Sequence, residues 1–268
     1  MNLFRIFLFG VLLLAGAGGY LLGNKHRPIP LSAIQSAEEF PLTEYKTFAI
    51  IVYACNQASW CEKALRSLFE QDYDHYRVVL IDDASNDGTF EKTQDYIVEN
   101  NQEHRVILIR NETRIGPIGS LYRAIGSCLD REIALPLDAK DWLAHPGVLT
   151  RLNRIYQNPE VWFACGQGIQ YPSYSTIEPL NLNAACSFYA GLMKQIRLDD
   201  LYKDGRFIAS KEAYLIPLRQ MAGRRLCALS EPFAFSNTAA CFKQTEAPHQ
   251  ISQISRYEPL AEFPQLSR

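Results

Sequence analysis

Four short apolar runs, each followed by a stretch with helical spacing, constrain this chain more than anything else in it. They are Phe48-Ala49-Ile50-Ile51-Val52, Val78-Val79-Leu80-Ile81, Val106-Ile107-Leu108-Ile109 and Ile133-Ala134-Leu135-Pro136-Leu137. Runs this continuous are typical of strands covered on both faces. After the first, Ser59 and Glu62 have capping-box spacing, and Cys61, Ala64, Leu65 and Leu68 recur at i, i+3, i+4 and i+7. Thr89 to Asn100 reads as a second helix. Pro117 starts a third, with Ile118, Leu121, Tyr122 and Ile125 on one face. The β-α-β-α-β-α-β order predicts an α/β fold, a mostly parallel central sheet flanked by helices.

Further along, the pattern predicts a helix over Gly147–Tyr156, a strand over Val161–Ile169 and a loop rich in Pro, Ser and Tyr. Helical stretches over Asn183–Ile196 and Lys211–Ala222 follow, then a short strand pair near 226–235. From Lys243 the chain is polar and is expected to wrap the surface. At the amino end, Ile6 to Gly23 is an uncharged run bounded by Arg5 and by Lys25-His26-Arg27. As a helix it would span roughly 27 Å, about a bilayer core. It reads either as an uncleaved single-pass signal anchor or as a signal peptide, since Ala15-Gly16-Ala17 resembles a cleavage site. The boundaries expected are 1–24 for this segment, 25–46 for a linker, 47–242 for the α/β domain and 243–268 for the tail.

A net charge of −2 with scattered basic residues excludes a nucleic-acid partner. The seven cysteines show no regular framework and no zinc spacing. They read as small buried hydrophobes in a reducing compartment. Asn111-Glu112-Thr113 is a glycosylation sequon, relevant only to a lumenal domain. No dinucleotide fingerprint, Walker loop or nucleophile elbow follows any strand. His249 is the one histidine considered as a ligand. Arg219 and Arg224-Arg225 could face a diphosphate, though a solvated basic helix end is the plainer reading.

In an open α/β sheet the ligand crevice gathers residues just after the strands. Here those are Cys55-Asn56, Asp82-Asp83, Arg110-Asn111 and Asp138 to Asp141. Carboxylates at Asp82 and Asp83 suit ribose hydroxyls or a base N–H, whereas Ser85 to Gly88 reads as a turn and helix cap. Leu137-Asp138-Ala139-Lys140-Asp141 nearly spells a site for a hard cation on a diphosphate, with Asp138 and Asp141 as carboxylate ligands. Lys140 stands between them, and an ammonium ligates no metal.

These residues resemble the family 2 glycosyltransferases of the GT-A type, through Asn56, Asp82-Asp83-Ala84-Ser85-Asn86-Asp87-Gly88-Thr89, Asn111, Gly116 and Leu137-Asp138-Ala139-Lys140-Asp141-Trp142-Leu143. Val161 to Gln167, Tyr171-Pro172-Ser173 and Lys211 to Gly223 extend the likeness over about three quarters of the chain. The resemblance implies a nucleotide-sugar donor held by Asn56, Asp82, Asp83, Arg110, Asn111, Asp138 and Lys140. It implies an inverting displacement, Mg²⁺ or Mn²⁺ on the leaving diphosphate, and an acidic general base, here Glu212 or Asp141. The acceptor could be a glycan, a lipid or a protein. The departures are Cys55 where the family often has tyrosine, Lys140 for the second acid of the DXD triplet, Lys211 for a later acid, and Pro136 inside a strand. Lys140 argues against the metal. Three outcomes follow: an active transferase in which lysine supplies the cation's charge, a degenerate nucleotide-binding or scaffold protein, or a purely structural anchor protein, which explains the hydrophobic segment but not the crevice residues. Because nucleotide sugars are made in the cytoplasm, the domain is expected on the cytoplasmic face of a membrane.

Overall fold

The computed structural model describes residues 41–181, 184–240 and 257–264. The apolar run at 6–23, Cys241, the start of the polar tail and His249 lie outside them. No described helix is long and apolar enough to cross a membrane.

The chain runs β1 (Phe48–Ala54), α1 (Cys61–Phe69), β2 (Tyr76–Asp82), α2 (Thr89–Glu99), β3 (Val106–Arg110), α3 (Gly116–Gly126) and β4 (Ile133–Asp138). All four strands of this half are parallel, in the spatial order β3-β2-β1-β4. β1 is flanked on both sides and almost wholly buried, which is why its sequence shows no alternation. β3 is the sheet edge, and its exposure rises accordingly, with Ile107 46 % exposed.

The second half is mixed. β5 (Trp142–Leu143), α4 (Val148–Ile155), β6 (Phe163–Tyr171), β7 (Ser175–Ile177), β8 (Cys186–Tyr189), α5 (Ala190–Met193) and α6 (Leu198–Leu201) come first. The small hairpin of β9 (Tyr202–Lys203) and β10 (Arg206–Phe207), then α7 (Glu212–Ala222) and β11 (Leu226–Asn237), complete it. The sheet continues from β4 through β8, β6 and β11 to β5, with β7 paired to β6.

Four local expectations are corrected. The stretch read as a helix from Asn183 to Ile196 is helical only over Ala190–Met193; before that it holds β8, a strand inserted antiparallel between β4 and β6 with all four residues buried. A strand buried on both faces has no period, so the sequence could not tell it from a buried helix. The strand pair near 226–235 is one long strand, β11, whose register on β6 shifts between Ala228 and Ala234 around Pro232. No capping box opens α1: its N-cap is Trp60 without a side-chain bond, and Glu62 pairs with Lys92 at 3.0 Å. Arg219 and Arg225 do not form a solvated helix end. Arg219 donates to the Leu180 carbonyl at 2.8 Å, and Arg225 donates to the carbonyls of Leu260 and Ala261 and lies over the Trp162 ring.

Pro136 finds its place because the β8 ladder on β4 covers only Ile133 and Ala134. Beyond Ala134 that side of β4 is unpaired by β8, and a residue lacking an N–H is accommodated there. Among the cysteines, Cys61, Cys128 and Cys227 are buried thiols as expected. Cys165 and Cys186, however, are register partners on β6 and β8 and form a disulfide. Their separation of 21 residues hid this, because a cross-strand pair leaves no local spacing signal.

Candidate functional site

The parallel strands bring most of the predicted residues to one edge of the sheet, and of them Asp138 lines the pocket described below. Tyr53 and Asp138 are register partners at the ends of β1 and β4, and Asp82 and Arg110 are partners at the ends of β2 and β3. Beyond these ends the chain turns sharply. Asn56 takes a φ of +54°, its N–H donating to the Ser85 hydroxyl and its side-chain oxygen accepting the Asn86 N–H. Asp87 accepts the N–H groups of Ala58 and Thr89. Ser85 to Gly88 therefore serves as the turn and cap its sequence suggested.

Asp83 is fully buried and its acceptors are well used. One oxygen takes the Asn111 side-chain N–H at 2.8 Å and the Ile115 N–H at 2.9 Å. The other takes the Gly116 N–H at 2.8 Å, with the Tyr53 hydroxyl at 3.4 Å. Gly116 has a φ of +83°, a conformation suited to glycine, and this bend aims its N–H at Asp83. The carboxylate thus anchors the start of α3. Asn111 is locked between Asp83 and Arg123, so the sequon side chain is buried. Asp82 accepts the Ser85 N–H with one oxygen, while its other oxygen is buried without a hydrogen-bond partner. Arg110 is half exposed, bonded to Glu91 at 2.8 Å and lying 3.9 Å from Asp82.

A pocket of about 70 Å³ opens between β1, β4, α3 and α7. Its walls are largely apolar, from Ile51, Ile118, Leu121 and Leu215, and its polar groups are Tyr53, Asp138, Lys211 and Tyr214. Burial pushes the Tyr53 hydroxyl well above the ordinary phenol range, so it is a donor here. Glu212 opens the first turn of α7 and does not line the pocket; its neighbour Lys211 does.

Asp138 and Asp141 were the expected metal ligands, and the donor set does not fit a hard divalent ion. The Lys140 ammonium lies 2.6 Å from one Asp138 oxygen, and the Lys140 N–H donates to the other. Asp141 is buried, and one of its oxygens accepts the Asn237 N–H at 2.7 Å. Desolvation is the main cause that raises its carboxyl to about 6; Asp138 adds to the rise, while Lys140, the Asn237 N–H and Lys211 oppose it. Among the described residues no three His, Cys, Asp or Glu side chains converge as a metal site. Two ammonium groups, Lys140 and Lys211, stand near the carboxylates instead. Lys211 was noted in the sequence only as a departure, and its position beside Asp138 comes from the packing of α7 on the sheet.

Comparison with known proteins agrees with this architecture. The profile of glycosyl transferase family 2 matches residues 49–215, and the chain belongs to that family. No curated protein sequence matches it. Among solved structures, a mannosyltransferase from Pyrobaculum calidifontis in complex with GDP-Man and Mn²⁺ superposes with a TM-score of 0.59 at 19% identity, over 88% of this chain and 66% of that one. Staphylococcus aureus TarS residues 1–349 gives a TM-score of 0.59 at 17% identity, over 71% of this chain and 60% of that one. GalNAc-T7 with UDP, GalNAc and Mn²⁺ gives 0.52 at 16% identity, over 73% and 44%. The fold is that of the GT-A glycosyltransferases, and the chain spans about 60% of the TarS chain it matches.

Proposed function

We propose that this chain transfers a sugar from a nucleotide-sugar donor to an acceptor hydroxyl without a divalent cation. The observation that carries the proposal is the direct Asp138–Lys140 contact at 2.6 Å, where a metal-bridging carboxylate is expected. Ammonium groups are good point-charge partners for phosphates, and Lys211 lies on the same pocket as Asp138. In this reading the buried, unpartnered oxygen of Asp82 accepts a base or ribose donor once the crevice adjusts. Asn56, Asn111, Arg110 and Asp83 shape the turns that hold the nucleotide.

In the transfer step, Asp141 takes the proton of the acceptor hydroxyl. The oxygen bonds to the anomeric carbon as the bond to the diphosphate breaks, inverting that carbon. The charge on the departing diphosphate is met by Lys211 and Lys140. Asp141 suits the role better than Glu212, because its burial raises its basicity toward neutral pH. Mannosyl, N-acetylglucosaminyl and N-acetylgalactosaminyl donors all remain candidates for the sugar. A membrane anchor through residues 6–23, with the domain on the cytoplasmic face, completes the reading.

The size of the pocket favours a second reading. A volume of about 70 Å³ holds a few waters, well below the several hundred Å³ usual for ligand sites. A degenerate domain that binds nucleotide weakly or not at all would look like this. Calorimetric titration with UDP, GDP and their sugars, with Mn²⁺ and with EDTA, separates the two. The transferase reading expects binding and donor hydrolysis that persist in EDTA and vanish in Lys211→Ala. Strict Mn²⁺ dependence overturns the lysine-for-metal proposal, and absence of any nucleotide binding overturns the transferase reading.

A further inference from the structure

Beside the lysine-paired pocket lies a cluster of aromatic side chains that the proposed chemistry leaves unused. Edge strand β5 places Trp142 opposite Phe235 of β11, their rings stacked with centroids 5.2 Å apart. Trp60 lies parallel to Trp142 at 6.3 Å, and Tyr171 meets the two edge-on at 6.0 and 5.3 Å. Tyr174 stands against Tyr171 and Phe235 at 5.9 and 6.4 Å. Burial falls away outward: Trp142 is 8 % exposed, Trp60, Tyr171 and Phe235 are partly buried, and Tyr174 is 65 % exposed. A core cluster closes on itself, whereas this one ends at water.

Two more observations mark it as a surface for a ligand. Tyr174 has a φ of +58°, in the left-handed region that a bulky residue rarely adopts. The strain is held by the β6–β7 hairpin, in which the Ser173 and Ser175 hydroxyls bond to each other and Ser175 bonds to Gln170. The backbone thus tolerates an unfavourable conformation while presenting a tyrosine to solvent. The cluster also abuts Asp141. Trp142 is the next residue, and Asn237, whose N–H bonds Asp141, is the register partner of Tyr171. The Lys63 ammonium sits 3.4 Å over the Trp142 ring, 5.1 Å from that of Tyr171 and 5.9 Å from that of Trp60, on the inner side of the cluster, and Tyr174 is its most exposed ring.

Aromatic faces edged by hydroxyls and an ammonium match one ligand chemistry well. The C–H face of a pyranose lies on the electron-rich ring faces, while its hydroxyls reach the polar rim. We propose that Trp60, Tyr171 and Tyr174 form a saccharide platform that seats the acceptor's pyranose rings beside Asp141. This names the acceptor class of the transfer proposed above and rests on that reading; saccharide binding itself can be measured without it.

The test titrates the full chain with maltohexaose, cellohexaose, chitohexaose and mannohexaose, and in parallel with UDP and GDP. Tryptophan emission is a direct readout, because two of the three tryptophans are in the cluster and the third, Trp162, packs elsewhere against Phe263. At least one oligosaccharide is expected to shift the emission saturably. Tyr174→Ala, at an exposed position, is expected to weaken that binding at least tenfold while nucleotide binding changes less than twofold. Trp60→Phe, which keeps a ring, should stay within about threefold of the parent. No oligosaccharide binding, or unchanged binding in Tyr174→Ala, overturns the platform. Saccharide binding with no nucleotide binding at all overturns the transferase reading, and the acceptor role with it.

Discussion

Asp141 concentrates the electrostatic tension of the site in one side chain. Burial raises its carboxyl from 3.8 to about 6, against the opposing pull of Lys140, the Asn237 N–H and Lys211. The folded value therefore lies above the unfolded one. Well below its unfolded value of 3.8 the group is neutral in both states and costs nothing. Between about pH 4 and 6 the unfolded chain releases its proton while the folded chain keeps it, and stability falls by about 3 kcal/mol in all. Asp141→Asn removes that loss and can still accept the Asn237 N–H. Urea unfolding should find the variant's advantage over the parent larger at pH 8 than at pH 4, by about 2 kcal/mol; the same difference at both values would show that titration of Asp141 is not the cause. Transfer should be lost in the variant, and the parent's rate should rise with pH through about 6. The residue types at 138, 140 and 141 were readable in advance. Their pairing was not, since the 2.6 Å contact depends on how the turn after β4 folds back.

α3 shows how one carboxylate organises an element. Its first turn has no side-chain N-cap of its own. Asp83, at the end of a different strand, accepts the N–H groups of Ile115 and Gly116, along with the amide of Asn111. Asp83→Ala leaves these buried donors unsatisfied, and hydrogen bonds to charged groups contribute about 1.5–3 kcal/mol each before compensation. The expected loss is about 3 kcal/mol, measured by chemical denaturation, with hydrogen exchange accelerated first in residues 115–120. A variant that loses nucleotide binding at full stability would show that Asp83 faces the ligand instead. The apolar stripe of α3 was legible from its spacing. Its anchor was not, because the tie joins residues about thirty positions apart.

At the scale of the molecule the two halves of the sheet are held by different means. The parallel half has long regular ladders over β1, β2 and β4, whereas β8 meets β4 through only two register pairs. The Cys165–Cys186 disulfide ties β8 to β6 within the second half. Closing a loop of about 20 residues contributes on the order of 3 kcal/mol. Replacing both cysteines with alanine should lower stability by about that amount, and alkylation of the denatured, unreduced chain should leave the 165 and 186 peptides unmodified. Modification of both would show the thiols to be free in the isolated protein. The sequence by itself determined the alternation of β1 to β4 with their helices, the strand-end positions of Asp82, Asp83 and Asp138, and the family, because period and order are local properties of the chain. Only the tertiary structure decided that β8 is a strand, that Cys165 faces Cys186, that Lys211 rather than Glu212 lines the pocket, and that five aromatic rings from distant segments meet beside Asp141. Those outcomes depend on which segments become neighbours across the sheet, and burial on both faces erases the periodicity that would have announced them.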